Sequence, residues 1–421
     1  MSSVRPFGAR YAYVVVGVIF LALMVSAGLR SAPGVLMLPI ERAFGWDRAT
    51  VSLAAATGIL LYGLTGPFAA ALMTSFGLRK TVTLAFVLMS VSTGLSSLMT
   101  QPWHYVLTWG LMSGVGTGAV ASVLAATVAN RWFVERRGLV MGLLTASTAT
   151  GSLLFLPAMA ALAETSGWRP VVLSVSVATA LLAPLVWFLV PERPDTIGLK
   201  PYGAPDDFAP PPQMPAGGAL AYAFKVLGRA ARTRTFWLLF GGFFICGLTT
   251  NGLVGTHLIA LCSDQGLPET RAASLLAVMG LFDLIGTTLS GWLTDRYDPR
   301  KLLFAYYIFR GASLIVLPFT DFSLVSLGIF AVFYGLDWIA TVPPTARLAT
   351  ETFGDRDGPI VFGWIAAGHQ AGAATAAIGA GLLRASQGRY LEAFVIAGMA
   401  GFAAALASIL IRRSTPAMAQ T

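Results

Sequence analysis

Apolar residues run through this chain in blocks of about 20 or more, separated by short clusters of charge. Blocks of that length cross a bilayer, because about 20 helical residues rising 1.5 Å each match a hydrocarbon core about 30 Å thick. They predict helices over 11–38, 49–73, 81–99, 103–129, 139–163 and 169–190, then over 235–262, 270–294, 301–319, 322–349, 359–384 and 390–411. The strict alternation of apolar and polar positions that a membrane β-barrel needs is absent from the sequence. The pattern therefore predicts an all-α membrane protein with twelve spans in two groups of six.

The groups divide the chain into a six-helix bundle over 1–190, a linker over 191–234 and a second bundle over 235–421. The linker portion APDDFAPPPQMP is Pro-rich and predicts irregular backbone. Residues 219–234 place Leu220, Phe224 and Leu227 on one side and Lys225, Arg229 and Arg232 on another, the pattern of a helix lying in a membrane interface. The apolar run from Tyr11 follows a short basic tail, Arg5 and Arg10, and reads as an uncleaved first span because so many spans follow it.

Composition removes the soluble alternative: 56% of residues are hydrophobic and 11% charged, against about 25% charged in soluble domains. A net charge of +9 would suit a nucleic-acid binder, so the placement of the basic residues decides. About 19 of the 28 Lys and Arg fall in the termini and one alternate set of loops. That asymmetry is the positive-inside rule, which puts both termini in the cytoplasm and leaves no basic patch for nucleic acid. Cys246 and Cys262 share one predicted helix and build no disulfide framework.

The two halves repeat. At an offset of about 221 residues, Phe76-Gly77-Leu78-Arg79-Lys80 falls on Tyr297-Asp298-Pro299-Arg300-Lys301, and Arg136-Arg137-Gly138 falls near Arg356-Asp357-Gly358. The turn GxxxDRYDPRK at 291–301, with its degenerate copy AxxxTSFGLRK at 70–80, resembles the signature of the major facilitator superfamily. Within it, FGWDRATVS (44–52), NRWFVERRGLVMG (130–142) and FGWIAAGHQAGA (362–373) resemble the bacterial branch of the monocarboxylate transporters and oxalate/formate antiporters. The resemblance implies two six-helix bundles related by a pseudo-two-fold axis, with a binding site between them at mid-depth. It also implies an Asp on the span 270–294 followed four residues later by an anion-binding Arg. Here the Asp is Asp283, and the matching position is Thr287.

Charges inside an apolar span are costly and mark function by default. The spans hold Arg30, Asp283, Arg310, Asp337 and Arg347. Asp283, Arg310 and Asp337 fall at similar depth and are the candidate proton-coupling cluster, with His369 at the same level. Asp283 reads either as a proton carrier or as a fixed partner of Arg310, and Asp337 as a structural partner of Arg310. Arg30 has no acidic residue at comparable depth in the first half, so it either snorkels outward or faces a wet cavity awaiting an anion. Ser31-Ala32-Pro33-Gly34 beside it favours the cavity, where broken helix can line a site. Resemblance also places a cation near this point of the first span, so Arg30 takes the role Thr287 cannot. His369, Gln370, Asn251, His257, Tyr62 and Tyr334 complete the candidate substrate contacts, with Trp338 beside Tyr62 and Tyr334 as an aromatic wall or core-packing residue, and Arg347 reads as a gate or snorkelling residue.

Metal-ligand spacing, a phosphate-binding GxxxxGK[ST] and a nucleophile–base pair are all missing from the sequence, which argues against an enzyme and a nucleotide-driven pump. The expectation is a secondary transporter in a bacterial inner membrane. It moves a small organic anion, foremost a monocarboxylate, with a proton, and needs no cofactor, metal or obligatory protein partner. Carboxylate exchange and drug or metabolite export are the alternatives; GxxxGP-type exporter spacing is not met by Gly151 to Pro157.

Overall fold

The computed structural model describes residues 7–120, 122–205 and 216–411. Thirteen helices carry the fold. The first six are α1 (Phe7–Phe44), α2 (Arg48–Ser75), α3 (Leu78–Ser96), α4 (Pro102–Trp132), α5 (Arg137–Ser166) and α6 (Trp168–Leu189). A linker helix α7 (Ala216–Ala230) follows, then α8 (Arg234–Asp264), α9 (Glu269–Arg296), α10 (Pro299–Phe319), α11 (Leu324–Gly354), α12 (355–387) and α13 (Leu391–Ile409). Residues 206–215 of the Pro-rich segment and the side chain of Leu220 lie outside the described residues.

Eleven of these helices are long and apolar enough to cross a membrane. The twelfth expected span, α12, is helical throughout, but His369, Gln370 and many Gly and Ala residues dilute its apolarity. Its small residues serve close packing instead. A Cβ on Gly372 would overlap the Phe244 carbonyl of α8, and one on Gly63 of α2 would overlap Gln370. Gly354, at φ +81°, separates α11 from α12 in a left-handed conformation that Gly adopts at little cost.

The second six spans repeat the packing of the first. α1 against α5 is matched by α8 against α12, α2 against α4 by α9 against α11, and α3 against α6 by α10 against α13. The halves meet along α2–α12, α5–α9 and α1–α8. Small residues permit the last crossing: a Cβ on Gly34 would sit 2.9 Å from the Gly255 carbonyl.

One end of the molecule carries the linker and both ends of the described chain. Here Glu192 accepts the orphan N–H groups of Leu78 and Arg79 at the start of α3, at 2.5 and 3.2 Å. Helix α7 docks on α12 and also touches α2. Among its described side chains Val226 and Ala230 are buried and Leu227 packs with them, while Phe224 is exposed with its ring tilted against Trp364. Of the expected stripe, Leu227 therefore lies on the packed face and Phe224 does not. Asp357 sets the docking angle by accepting from the Tyr222 hydroxyl and pairing with Arg229, each at 2.6 Å.

At the far end the halves are tied by charge. Arg48, at the start of α2, grips Glu41 through two bonds of 2.6 and 2.9 Å and donates to the Tyr390 hydroxyl at 3.0 Å. Asp264 of α8 lies 3.5 Å from Arg48 and 2.7 Å from Arg384. Arg42 pairs with Glu269 at 2.6 Å, and Glu164 accepts the Thr270 N–H at 2.7 Å. Among the described residues, every ion pair between the two six-helix halves sits at this end. Asp47 caps α2 there, and the Thr50 hydroxyl and N–H hold its carboxyl below the ordinary range.

Candidate functional site

A cavity of about 490 Å³ lies between the halves. It runs from Trp109, Thr256 and Leu276 to Leu144, Thr145 and Phe362, which stand about two turns from the linker-end termini of α5 and α12. The far-end ion pairs seal it on one side, so it faces the linker end.

Arg30 lines this cavity from α1. Pro33 supplies no N–H to the Leu29 carbonyl, which loosens the helix at that turn. The Arg30 guanidinium stands 4.8 Å from the centre of the Tyr62 ring and makes no ion pair among the described residues. Of the two sequence alternatives, it faces the cavity.

Across from it, α8 opens into a wider π-type turn over Leu248–Val254, which brings Thr250 and Asn251 to the cavity wall. His369 and Gln370 line it from α12, with the His369 ring 5.0 Å from that of Phe243. Asp283 lines it from α9 and is 8% exposed. Its Oδ1 accepts from the Thr287 hydroxyl at 2.9 Å and from the Ile339 N–H at 3.0 Å. Thr287, at the position where the resemblance implies an Arg, thus serves the carboxylate.

Four candidates sit elsewhere. Arg310 and Asp337 face each other at 2.7 Å, and Arg310 is 1% exposed. They border a separate groove between α9, α10 and α11; the three groups of the expected cluster meet on one stretch of α11, 337–339, but Asp283 alone lines the central cavity. Arg310 also donates to the Cys246 sulfur at 2.9 Å and to the carbonyls of Asp337 and Trp338. Four of its five N–H donors are thus taken by the protein, and the group is buried away from the cavity. His257 is fully buried, bonded to the Tyr390 hydroxyl at 2.9 Å and the Ala377 carbonyl at 2.7 Å, within the far-end closure. Tyr334 is 1% exposed and donates to the Thr249 carbonyl at 2.8 Å. Both have their polar atoms consumed by the protein and lie outside the cavity. Arg347 sits in the second half near the linker end, paired with Glu351 at 2.6 Å and bonded to the Thr294 carbonyl.

Trp338 lines the wall as expected, and the structure adds Phe243 and Phe362, together with Ser152 of α5, whose hydroxyl lies 3.5 Å from that of Ser31. Among the described residues that line it, one unpaired cation, one carboxylate and an aromatic surround suit a small anion with an apolar body. Among the described residues no group of three His, Cys, Asp or Glu could hold a metal ion.

Comparison with known proteins agrees with this architecture. The chain is 29% identical to monocarboxylate transporter 13 of Rattus norvegicus over 91% of its own length and 85% of that protein. It is 26% identical to an uncharacterised transporter of the same superfamily from Bacillus subtilis, over 75% of this chain and 74% of that one. A bacterial homologue of the human lysosomal transporter Spinster, solved in an inward-facing and occupied conformation, superposes with a TM-score of 0.77 at 17% identity, over 96% of this chain and 97% of that one. A D-xylose–proton symporter does so at 0.72 and 15%, over 96% and 99%. At such identities the last two speak to fold alone. The sequence profile of the Major Facilitator Superfamily matches residues 19–346 and 258–421, so this chain belongs to that superfamily of multi-pass membrane transporters.

Proposed function

We propose that this transporter moves a small organic anion, a monocarboxylate, together with a proton by alternately exposing the central cavity to either side of the membrane. The observation that carries the reading is the unpaired Arg30 guanidinium in the cavity. A cation kept without a partner in a span is costly, and a carboxylate cargo removes the cost with a forked pair of charge-assisted hydrogen bonds. The naming of the rat relative as a monocarboxylate transporter supports the cargo class.

In this reading Arg30 holds the carboxylate over the Tyr62 ring, while Asn251, His369 and Gln370 orient the rest of the molecule. Asp283 carries the proton. Its Oδ1 is held by Thr287 and Ile339, and the residue lines the cavity. The cargo's charge is then compensated by the proton that travels with it. We place the linker end in the cytoplasm of a bacterial inner membrane, on the basic loops at that end. The structure then stands open to the cytoplasm, with the Arg48 network closing the outside.

Purified protein in liposomes, given an outside-acidic pH gradient and labelled monocarboxylates, tests this. Accumulation that a protonophore abolishes is the expected result. Uptake that needs only a counter-carboxylate inside and ignores the protonophore would replace symport by exchange.

A further inference from the structure

Helix α11 is broken beside the site, and three neighbouring side chains occupy the break. Pro343 and Pro344 have no N–H to give the carbonyls of Ile339 and Ala340, four residues earlier, so the regular ladder fails over 338–341. The backbone tightens to three-residue spacing instead: Trp338 N–H to Gly335, Ala340 N–H to Asp337 and Val342 N–H to Ile339, at 3.1, 3.3 and 2.9 Å. The stranded groups are taken from outside. Ser290 of α9 donates to the Ala340 carbonyl at 2.5 Å, Arg310 of α10 donates to the carbonyls of Asp337 and Trp338, and Asp283 of α9 accepts the Ile339 N–H.

Just on the far side of the break, α9 and α11 are in backbone contact. A Cβ on Gly335 would sit 2.7 Å from the Met279 carbonyl, and one on Gly286 would overlap the Leu336 carbonyl. This crossing fixes α11 on one side of the break; on the other side, among the described residues, the segment is tied only by side chains, Arg347 to the Thr294 carbonyl of α9 and Thr341 to the Cys246 sulfur at 3.2 Å, which can move with it. Trp338 and Ile339, within the break, both line the cavity.

We propose that the break in α11 is the hinge through which the protonation of Asp283 reshapes the cavity wall, with Arg310 as the positioning residue that holds the hinge open. The proposal rests on the reading of Asp283 as proton carrier. An ionised Oδ1 accepts a charge-assisted bond from Ile339; a proton on the carboxyl makes that bond an ordinary one and frees the segment. The other titratable groups around Asp283 are Arg310 on α10, Cys246 on α8 and Asp337 on α11, with Arg30, Tyr62 and His369 across the cavity. Arg310 is committed to Asp337 and the two carbonyls, so Asp283 is the group whose change of charge acts on the Ile339 N–H.

Amide hydrogen exchange on the full-length protein tests it. Asp283→Asn, which mimics the protonated acid, is expected to raise exchange of the Trp338–Val342 amides about fivefold at unchanged pH, the difference between a charged and a neutral hydrogen bond. Peptides from α3 and α6 serve as the unmoved reference. Should that variant not fold, the wild-type protein is followed from neutral to acidic pH and corrected against an unstructured peptide, with the same local rise expected. Arg310→Lys keeps the charge beside Asp337 but lacks the fork for two carbonyls. It is expected to raise the same exchange and shift the pH profile of uptake without changing KM. Unchanged exchange at 338–342 in Asp283→Asn, or in the wild-type titration when that variant does not fold, overturns the hinge even if uptake is proton-driven. A local rise combined with uptake that ignores the proton gradient would keep the hinge and retire the symport reading.

Discussion

Arg30 and Arg310 place the same guanidinium inside membrane-spanning helices, and the fold treats them in opposite ways. Arg310 is enclosed by Asp337, the Cys246 sulfur and two backbone carbonyls, with four of its five N–H donors in use. Arg30 has one neighbour of note, the face of Tyr62, and an open cavity beyond it. Arg310 is stripped of water and recovers the cost within the chain, whereas Arg30 is half-buried on the cavity and has no acidic partner in the chain among the described residues. A buried charge that the protein satisfies is architecture; one that it leaves unsatisfied is an invitation to a ligand. Position within a span does not distinguish the two, and partners do.

That contrast can be broken by mutation. The largest effect is expected at the enclosed arginine: Arg310→Met strands Asp337 and the break in α11, at a cost of roughly 3–5 kcal/mol. Thermal unfolding of the purified protein measures it. The double change Arg310→Met with Asp337→Leu is expected to recover part of the loss, because no charge is then left unpaired. At the open arginine the pattern reverses. Arg30→Gln is expected to leave the unfolding temperature nearly unchanged and to cut uptake by about two orders of magnitude, the cost of removing one member of a desolvated charge pair. A third arginine, Arg48, lies between these cases. Arg48→Met releases Glu41 and Tyr390, while Asp264 keeps Arg384, so a loss of roughly 1–3 kcal/mol is expected, with easier labelling of the far end by water-soluble reagents. The smallest effect belongs to the ring under Arg30. Tyr62→Leu removes a cation–π contact worth about 1 kcal/mol and is expected to raise KM roughly fivefold, with expression intact.

Much of this was legible in the residues. Block length and charge placement forecast the spans, and the 221-residue repeat forecast the matched packing of the halves. The absence of an acidic partner in the first half, with Pro33-Gly34 beside it, pointed Arg30 at the cavity. What the sequence did not disclose depended on local departures from regular helix. Tyr334 and Trp338 are one turn apart and would share a face in an unbroken helix. In the structure their rings do meet edge to face, centroids 5.7 Å apart, with Trp338 lining the cavity and Tyr334 buried behind it; the break at 338–341 acts beyond them, on Ile339, whose N–H goes to Asp283. The wide turn over Leu248–Val254 shifts register in α8, so Asn251 lines the cavity and His257 belongs to the far-end closure. Pro343-Pro344 was the readable sign of the first of these. The second has no comparable marker, because Leu248–Val254 contains no proline and its hydropathy resembles that of its flanks. In α7, Val226 and Ala230 form the buried face because Asp357 captures Tyr222 and Arg229, a tertiary constraint invisible to helical periodicity.

Ligand-induced thermal stabilisation of wild-type protein and Arg30→Gln, across a panel of monocarboxylates and their uncharged amides, tests the central claim most directly. A ligand that binds only the folded state raises apparent stability by about 2.7 kcal/mol at a hundred times its Kd. Arg30 as the waiting cation predicts stabilisation of the wild type by at least one carboxylate, none by its amide, and none of the variant by either. Equal stabilisation of wild type and variant by the same carboxylates would contradict it.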